Sequence, residues 1–312
     1  MYPDCYSPIR FVKYKRSELT TQEHIGFVYS SIHSFGETYG YPFFLRSCAK
    51  PLQASLIIDE NIDFTLEEIA LCCASHSGDE YHVDLAKRLL NKIGLKESDL
   101  KCGLHKPLSE TERERLIRCG EKETVFHNNC VGKHILMLAL CLKHGWDIKD
   151  YDKIEHPVQQ LIKNKIYDLC EVETEDYPET KDGCGVPVFS MPLKNMHDGY
   201  LNLFNSTKYE IISKAFLEYP HIIGGKDRLD TVIMQNSENL VAKVGADGLC
   251  IVVNLEEAEC VVVKMLDIDP KAREITILTI LKKLNWADIP CDNKIRTLHG
   301  EVVGEMIFDL NL

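Results

Sequence analysis

Ser47 and Lys50 stand three residues apart in Arg46-Ser47-Cys48-Ala49-Lys50-Pro51, where a β-like segment gives way to a helical one. On a helix that spacing puts both side chains on one face. A serine hydroxyl is a poor nucleophile, and a neutral amine is one of the few side chains able to take its proton. Two further elements follow in chain order: Ser75-His76-Ser77-Gly78, and Lys243-Val244-Gly245 at the end of an apolar run from Asn239. Together they imply serine-dependent acyl transfer. The helix start also offers free backbone N–H groups near Ser47, suited to a developing oxyanion.

Protonation is the obstacle. A free lysine titrates near ~10.4, so Lys50 must be desolvated or set beside another cation before it can act as a base. Lys243 is a candidate for that cation. The spacing alone is cheap, because Ser98-Asp99-Leu100-Lys101 shares it within a charged stretch that reads as solvated surface. Ser47 differs in its place at a strand-to-helix boundary, its low local charge and the two elements that follow.

A second set of residues has metal-binding chemistry. Cys130-Val131-Gly132-Lys133-His134 opens a helix after Asn128-Asn129, and Asp182-Gly183-Cys184-Gly185 is a tight turn. Two thiolates in polar turns, the first near a histidine, could hold zinc in a partly open site. There is no Cys-x-x-Cys pair, and two free thiols lining a pocket is the duller alternative. Arg46, His76 and His134 flank these motifs. Arg46 suits a substrate carboxylate or a salt bridge within the fold. Each histidine suits substrate contact or a structural hydrogen bond.

The elements that must position these groups follow from periodicity. Phe11 to Tyr14, His24 to Ser30 and Thr38 to Phe44 read as strands. Helices are expected over Leu52–Ile58, Thr65–Ala74, Glu80–Ile93, Ser109–Arg118, His134–Lys143, His156–Leu169 and Ser206–Glu218. Thr65 and Ser109 are the expected caps of their helices. Strands return at Thr231–Gln235, Asn239–Lys243, Leu249–Val253 and Cys260–Met265, with turns at Asp247-Gly248 and Glu256-Glu257. Pro270–Leu284 closes the series as an amphipathic helix. The expectation is one domain over residues 1–312: a sheet lobe from 1–46 plus 229–312, and a mostly helical lobe over 47–228.

Composition bounds the partners. A chain of 312 residues with 45% hydrophobic and 27% charged content has ample core for a globular protein. A formal net charge of −12 argues against nucleic acid or anionic membrane as a partner. Thirteen cysteines with no recognisable leader before Tyr6 predict a reducing, cytoplasmic setting.

The order serine-x-x-lysine, serine-rich turn, lysine-x-glycine resembles that of serine β-lactamases and penicillin-binding proteins. A closer likeness lies in Arg46-Ser47-Cys48-Ala49-Lys50-Pro51-Leu52-Gln53, Cys73-Ala74-Ser75-His76-Ser77-Gly78, Asn129-Cys130-Val131-Gly132-Lys133-His134, Asp182-Gly183-Cys184-Gly185-Val186-Pro187 and Lys243-Val244-Gly245-Ala246-Asp247. These resemble the rhizobial-type L-asparaginases of the asparaginase II group, from about residue 10 to the C-terminus. The resemblance implies an α/β, β-lactamase/glutaminase-like fold, with an antiparallel sheet built from both chain ends and a mostly helical middle. It also implies a homodimer and hydrolysis of L-asparagine. Under it, Ser47 pairs with Lys50 and Ser75 with Lys243. Cys130, Lys133 and Cys184 would be zinc ligands, Asp182 would sit beside them, and the metal would help orient substrate. Val131 stands where a serine is common, Asp79 where a glutamate is common, and Lys15-Arg16-Ser17 lacks the usual Arg-Gly; these bear on substrate identity. Other serine–lysine amidohydrolases, such as a glutaminase or a β-lactam-interacting enzyme, and a silent zinc-binding relative are the alternatives.

Overall fold

The computed structural model describes residues 6–32, 34–173 and 177–309; residues 1–5, where a leader was sought, lie outside them. Its strands are β1 (Ile9–Arg16), β2 (Leu19–Tyr29), β3 (Phe43–Phe44), β4 (Glu179–Lys181), β5 (Pro187–Met191), β6 (Leu240–Val244), β7 (Leu249–Asn254), β8 (Glu259–Met265), β9 (Lys294–Arg296) and β10 (Val302–Phe308). Seven form one antiparallel sheet in the order β6-β7-β8-β2-β1-β10-β9. Because β2 pairs with β8 and β1 with β10, the sheet is built from both chain ends, as the sequence predicts. A small second sheet, β3-β5-β4, stands apart from it.

The inner strands are apolar for a reason. Every residue of β6 and β7 is buried, and only Glu259 of β8 is not. Helices Leu193–Phe204 and Pro270–Lys283 both pack on β8, so Cys260-Val261-Val262-Val263 finds protein on either face rather than alternating with water. The Asp247-Gly248 turn forms as expected. Both residues have positive φ, +57° and +78°, the combination that a two-residue turn between twisted strands requires.

The helix Ala49–Asp59 is buried from Ala49 to Ile57, which makes it the hub of the helical layer. Thr65 caps Leu66–Cys73 in a reciprocal arrangement: its Oγ1 accepts from Glu68 N, and Glu68 Oε2 accepts from Thr65 N at 2.7 Å. Ser109 caps Glu110–Cys119 in the same position.

Two expected strands differ. Thr231–Gln235 is helical, within Leu229–Gln235. Its β-branched residues read as a strand, but burial falls on Asp230, Thr231, Ile233 and Met234, and the segment packs on β6. Thr38–Phe44 is mostly a turn: Tyr39 and Gly40 have positive φ, and only Phe43–Phe44 pairs, with Met191 and Ser190. The helix Leu193–Phe204 and strands β4, β5, β9 and β10 were not foreseen. Ser206–Glu218 divides into a short turn at Thr207–Tyr209 and a helix over Glu210–Glu218.

One glycine sets the crossing that builds the site. Helix Val131–His144 begins against the end of Leu66–Cys73, and a Cβ on Gly132 would stand 2.0 Å from Leu71 O. Backbone cannot yield there, so Gly132→Ala is expected to destabilise the protein by about 2 kcal/mol or more, read as a lowered Tm in thermal unfolding.

Candidate active site

Five segments converge on one pocket. The chain leaves β3 and turns at Arg46, whose φ of +47° is a conformation non-glycine residues rarely adopt. A single 3-10 turn, Arg46–Cys48, then runs into helix Ala49–Asp59 and sets Ser47 at its mouth. Pro51 falls in the first turn of that helix, where a missing N–H costs little. Tyr200, from the unforeseen helix, donates its hydroxyl to Cys48 O at 2.8 Å and pins the turn. Ser75 follows the helix Leu66–Cys73, held by its N–H to Ile223 O at 2.9 Å. Asn128 folds the next turn: its amide donates to Cys102 O, and its Oδ1 accepts from Cys130 N at 2.9 Å.

The two serines meet. Ser75 Oγ donates to Ser47 Oγ at 3.3 Å, and Asn129 Nδ2 donates to Ser75 Oγ at 3.0 Å. Lys50 is wholly buried and gives its Nζ protons to Ala74 O (2.7 Å) and Asn129 O (2.8 Å), the carbonyls that flank Ser75 and Cys130. Among the described residues neither lysine makes a direct hydrogen bond to a serine. Lys243, also wholly buried, faces Asp230 Oδ2 at 3.3 Å and Val244 O at 3.2 Å. Burial lowers the Lys50 amine to about 8. The Cys130 thiolate opposes that shift, while the charges of Lys133 and Lys243 add to it.

Asp230 is the residue sequence reasoning missed, since the segment read as a strand gave no reason to bury a carboxylate beside Lys243. A buried pair with one partner removed leaves an uncompensated charge. Asp230→Asn is therefore expected to cost about 3–5 kcal/mol. Asp230→Asn combined with Lys243→Met should recover much of that loss, as chemical denaturation would show.

Around the pocket mouth charge is dense. Arg46 donates Nε to Asp182 Oδ1 at 3.0 Å and also pairs with Asp247 on the turn between β6 and β7. Lys133 Nζ reaches Asp182 Oδ2 at 3.0 Å. Although burial opposes it, Lys133 and Arg46 hold the Asp182 carboxyl well below the usual carboxylate range. Cys130 and Cys184 share a hydrogen bond that favours thiolate at Cys130 and thiol at Cys184. Donor atoms of Cys130, Asp182 and Cys184 all lie within 4.8 Å of one another, a group able to hold a metal ion. Lys133 adjoins this group through Asp182.

The two flanking histidines are engaged by the fold. His76 Nδ1 accepts from Gly78 N at 3.0 Å, and its ring stacks on His82 at 4.6 Å. His134 Nδ1 pairs with the Tyr151 hydroxyl at 2.7 Å. Burial first, then His82 for His76 and Lys133 for His134, keeps both rings neutral well below the ordinary histidine range. The pocket itself, about 370 Å³, is walled by Arg46, Ser47, Asn129, Cys130, Asp182 and Cys184, with His105 and Ala246 contributing.

This is a mixed α/β protein with a pocket walled in part by Ser47, whose hydroxyl meets that of Ser75, and with the amines of Lys50 and Lys243 buried. A family model described as L-asparaginase II matches residues 23–307, and the chain belongs to that family. It is thus an asparaginase-type amidohydrolase in general terms, a hydrolase of amides with a small-molecule substrate. Among curated proteins none matches the chain. No described helix is long and apolar enough to cross a membrane.

Proposed function

We propose that the chain is an L-asparaginase that hydrolyses L-asparagine to L-aspartate and ammonia through an acyl-enzyme on Ser47. The observation that carries this reading is the contact of Ser75 with Ser47, a residue of the pocket wall, while the buried Lys50 amine donates to the backbone carbonyl before Ser75. Ser47 Oγ attacks the side-chain amide carbon as its proton passes to Lys50 Nζ. The C–N bond then breaks, the departing nitrogen takes a proton, and ammonia leaves. Water repeats the attack on the ester and frees aspartate and Ser47. Lys243, paired with Asp230, belongs with Ser75 in the second tandem. Of the two serines, Ser47 is the nucleophile because it lines the pocket, which Ser75 does not.

Arg46 binds the substrate's α-carboxylate. Its partner Asp247 has a half-exposed side chain and can be exchanged for that carboxylate, whereas Asp182 is retained. His76 supports the turn after Ser75, and His134 ties the helix that carries Lys133 to Tyr151.

The cysteine-bearing turns suit zinc. Two Zn–S bonds of about 2.3 Å place two sulfurs at most about 4.6 Å apart, close to the span of the Cys130, Asp182 and Cys184 donors. Cys130, Cys184 and Lys133 would hold the ion, with Asp182 freed from Lys133 or joining them. The metal would supply a Lewis-acidic centre that helps fix the substrate. The whole chain would act as one domain of β-lactamase/glutaminase-like type, as a cytoplasmic homodimer; a largely antiparallel sheet set against buried helices supports that relation.

Ammonia release from L-asparagine, from L-glutamine and turnover of a chromogenic β-lactam by the zinc-loaded protein test this reading. Turnover of asparagine is expected to exceed the others. Preference for glutamine or the β-lactam would move the protein to the neighbouring amidohydrolases, and zinc binding without any turnover would make it a silent relative.

A further inference from the structure

Asn129 touches the neighbourhoods of both serine–lysine pairs. Its side-chain amide donates to Ser75 Oγ, its backbone carbonyl accepts from Lys50 Nζ, and it is bonded in sequence to Cys130. The residue also lines the pocket. An amide nitrogen has protons to give and no lone pair to accept with. Ser75 Oγ accepts a hydrogen bond from Asn129 and has Ser47 Oγ, 3.3 Å away, as the acceptor of its own. Ser47, now an acceptor from Ser75, must direct its own proton elsewhere. The reverse sense, with Ser47 donating to Ser75, would turn that proton away from its base.

We infer that Asn129 is a positioning residue that fixes the direction of the hydroxyl chain Asn129→Ser75→Ser47, and so orients Ser47 for attack. The inference rests on the acyl-enzyme reading above. It extends that reading by assigning the sense of the relay to a side chain outside both serine–lysine pairs. The same peptide unit holds Lys50 in register, since Lys50 Nζ spans Asn129 O and Ala74 O, the latter immediately before Ser75.

The test compares Asn129→Asp with Asn129→Ala in the full-length protein. Aspartate has nearly the shape of asparagine but only accepts, so it draws the Ser75 proton toward itself and reverses the chain. Asn129→Ala is expected to lower kcat for ammonia release by about 10²-fold with KM nearly unchanged, the size seen when one positioned donor is lost. Asn129→Asp is expected to lower it further. A second arm labels the protein with a fluorophosphonate probe and maps the modified peptide by mass spectrometry, which requires no knowledge of the substrate. Wild type should be labelled at Ser47, and both variants more slowly by a factor matching their loss in kcat, at a Tm close to wild type. A residue that only builds the turn would change Tm and leave the labelling rate alone. Labelling of Asn129→Asp at the wild-type rate on Ser47 overturns the inference. If wild type releases no ammonia from any amide, the substrate assignment fails instead, and the labelling arm still decides the role of Asn129. Either variant alone suffices should the other fail to fold.

Discussion

Ser47→Ala is expected to lower kcat for ammonia release from L-asparagine by at least about 10⁴-fold, while KM changes little. Loss of a serine nucleophile removes the covalent route entirely, and the residual rate comes only from binding and the remaining donors. Ser47 is nearly buried, and its hydroxyl lies at the end of a chain of donors on the pocket wall. Removing one oxygen there leaves the fold's large contacts in place, so Tm should move by little. Ser75→Ala should also be severe, but it deletes a relay oxygen and not the attacking one. Its acyl-enzyme should still form, slowly, at Ser47. If Ser47→Ala kept near-normal kcat while Ser75→Ala was inactive, the roles would be exchanged.

Lys50→Met should be comparably damaging, and the pH dependence explains why. The base must be neutral to accept the Ser47 proton. With its amine lowered to about 8, Lys50 is mostly an ammonium at pH 7 and mostly neutral at pH 9. kcat/KM should then rise about tenfold per pH unit below that value and level off above it. Lys50→Met should abolish this limb together with about 10²–10⁴ of the rate. Stability runs the other way. An amine that titrates at 10.5 in the unfolded chain and about 8 in the folded one binds fewer protons when folded. Its cost is full below about 8 and vanishes as pH rises past the unfolded value. That displacement corresponds to roughly 3 kcal/mol at neutral pH, offset by loss of the two carbonyl hydrogen bonds. Lys50→Met should therefore lose most of its activity yet be no less stable at pH 7, and its advantage should shrink toward pH 10 in denaturant titrations.

Much of this was legible in the chain because local chemistry dictated it. Asp247-Gly248 marked a turn, and Thr65 ahead of Glu67 and Glu68 marked a helix start; both formed. The i, i+3 spacing put Ser47 and Lys50 on one turn. A sheet assembled from both chain ends also followed from the strand-like segments at each end. What escaped depended on tertiary packing. Thr231-Val232-Ile233-Met234 has the residues of a strand, but it is a helix seated against β6 and against Pro220–Ile223, with Asp230 beside Lys243. Helix Leu193–Phe204 did leave a signal: Leu193, Met196, Tyr200 and Leu203 recur at helical spacing, and all are buried. Gly199 disguised it, and its absent side chain is what lets Cys170 approach. The double engagement of Arg46 by Asp182 and Asp247 was beyond reach, because those partners lie 136 and 201 residues away. The site was therefore readable as a set of reactive groups, and unreadable as a network of counter-charges.

The claim on which the account turns is that Ser47 carries the acyl group. Rapid acid quench of the zinc-loaded protein during turnover of L-asparagine, followed by peptide mass mapping, tests it directly. An aspartyl ester on the peptide containing Ser47, formed no more slowly than ammonia is released and absent from Ser47→Ala, is the expected result. An ester on Ser75 alone, or steady ammonia release with no ester on either serine at any quench time, would contradict it.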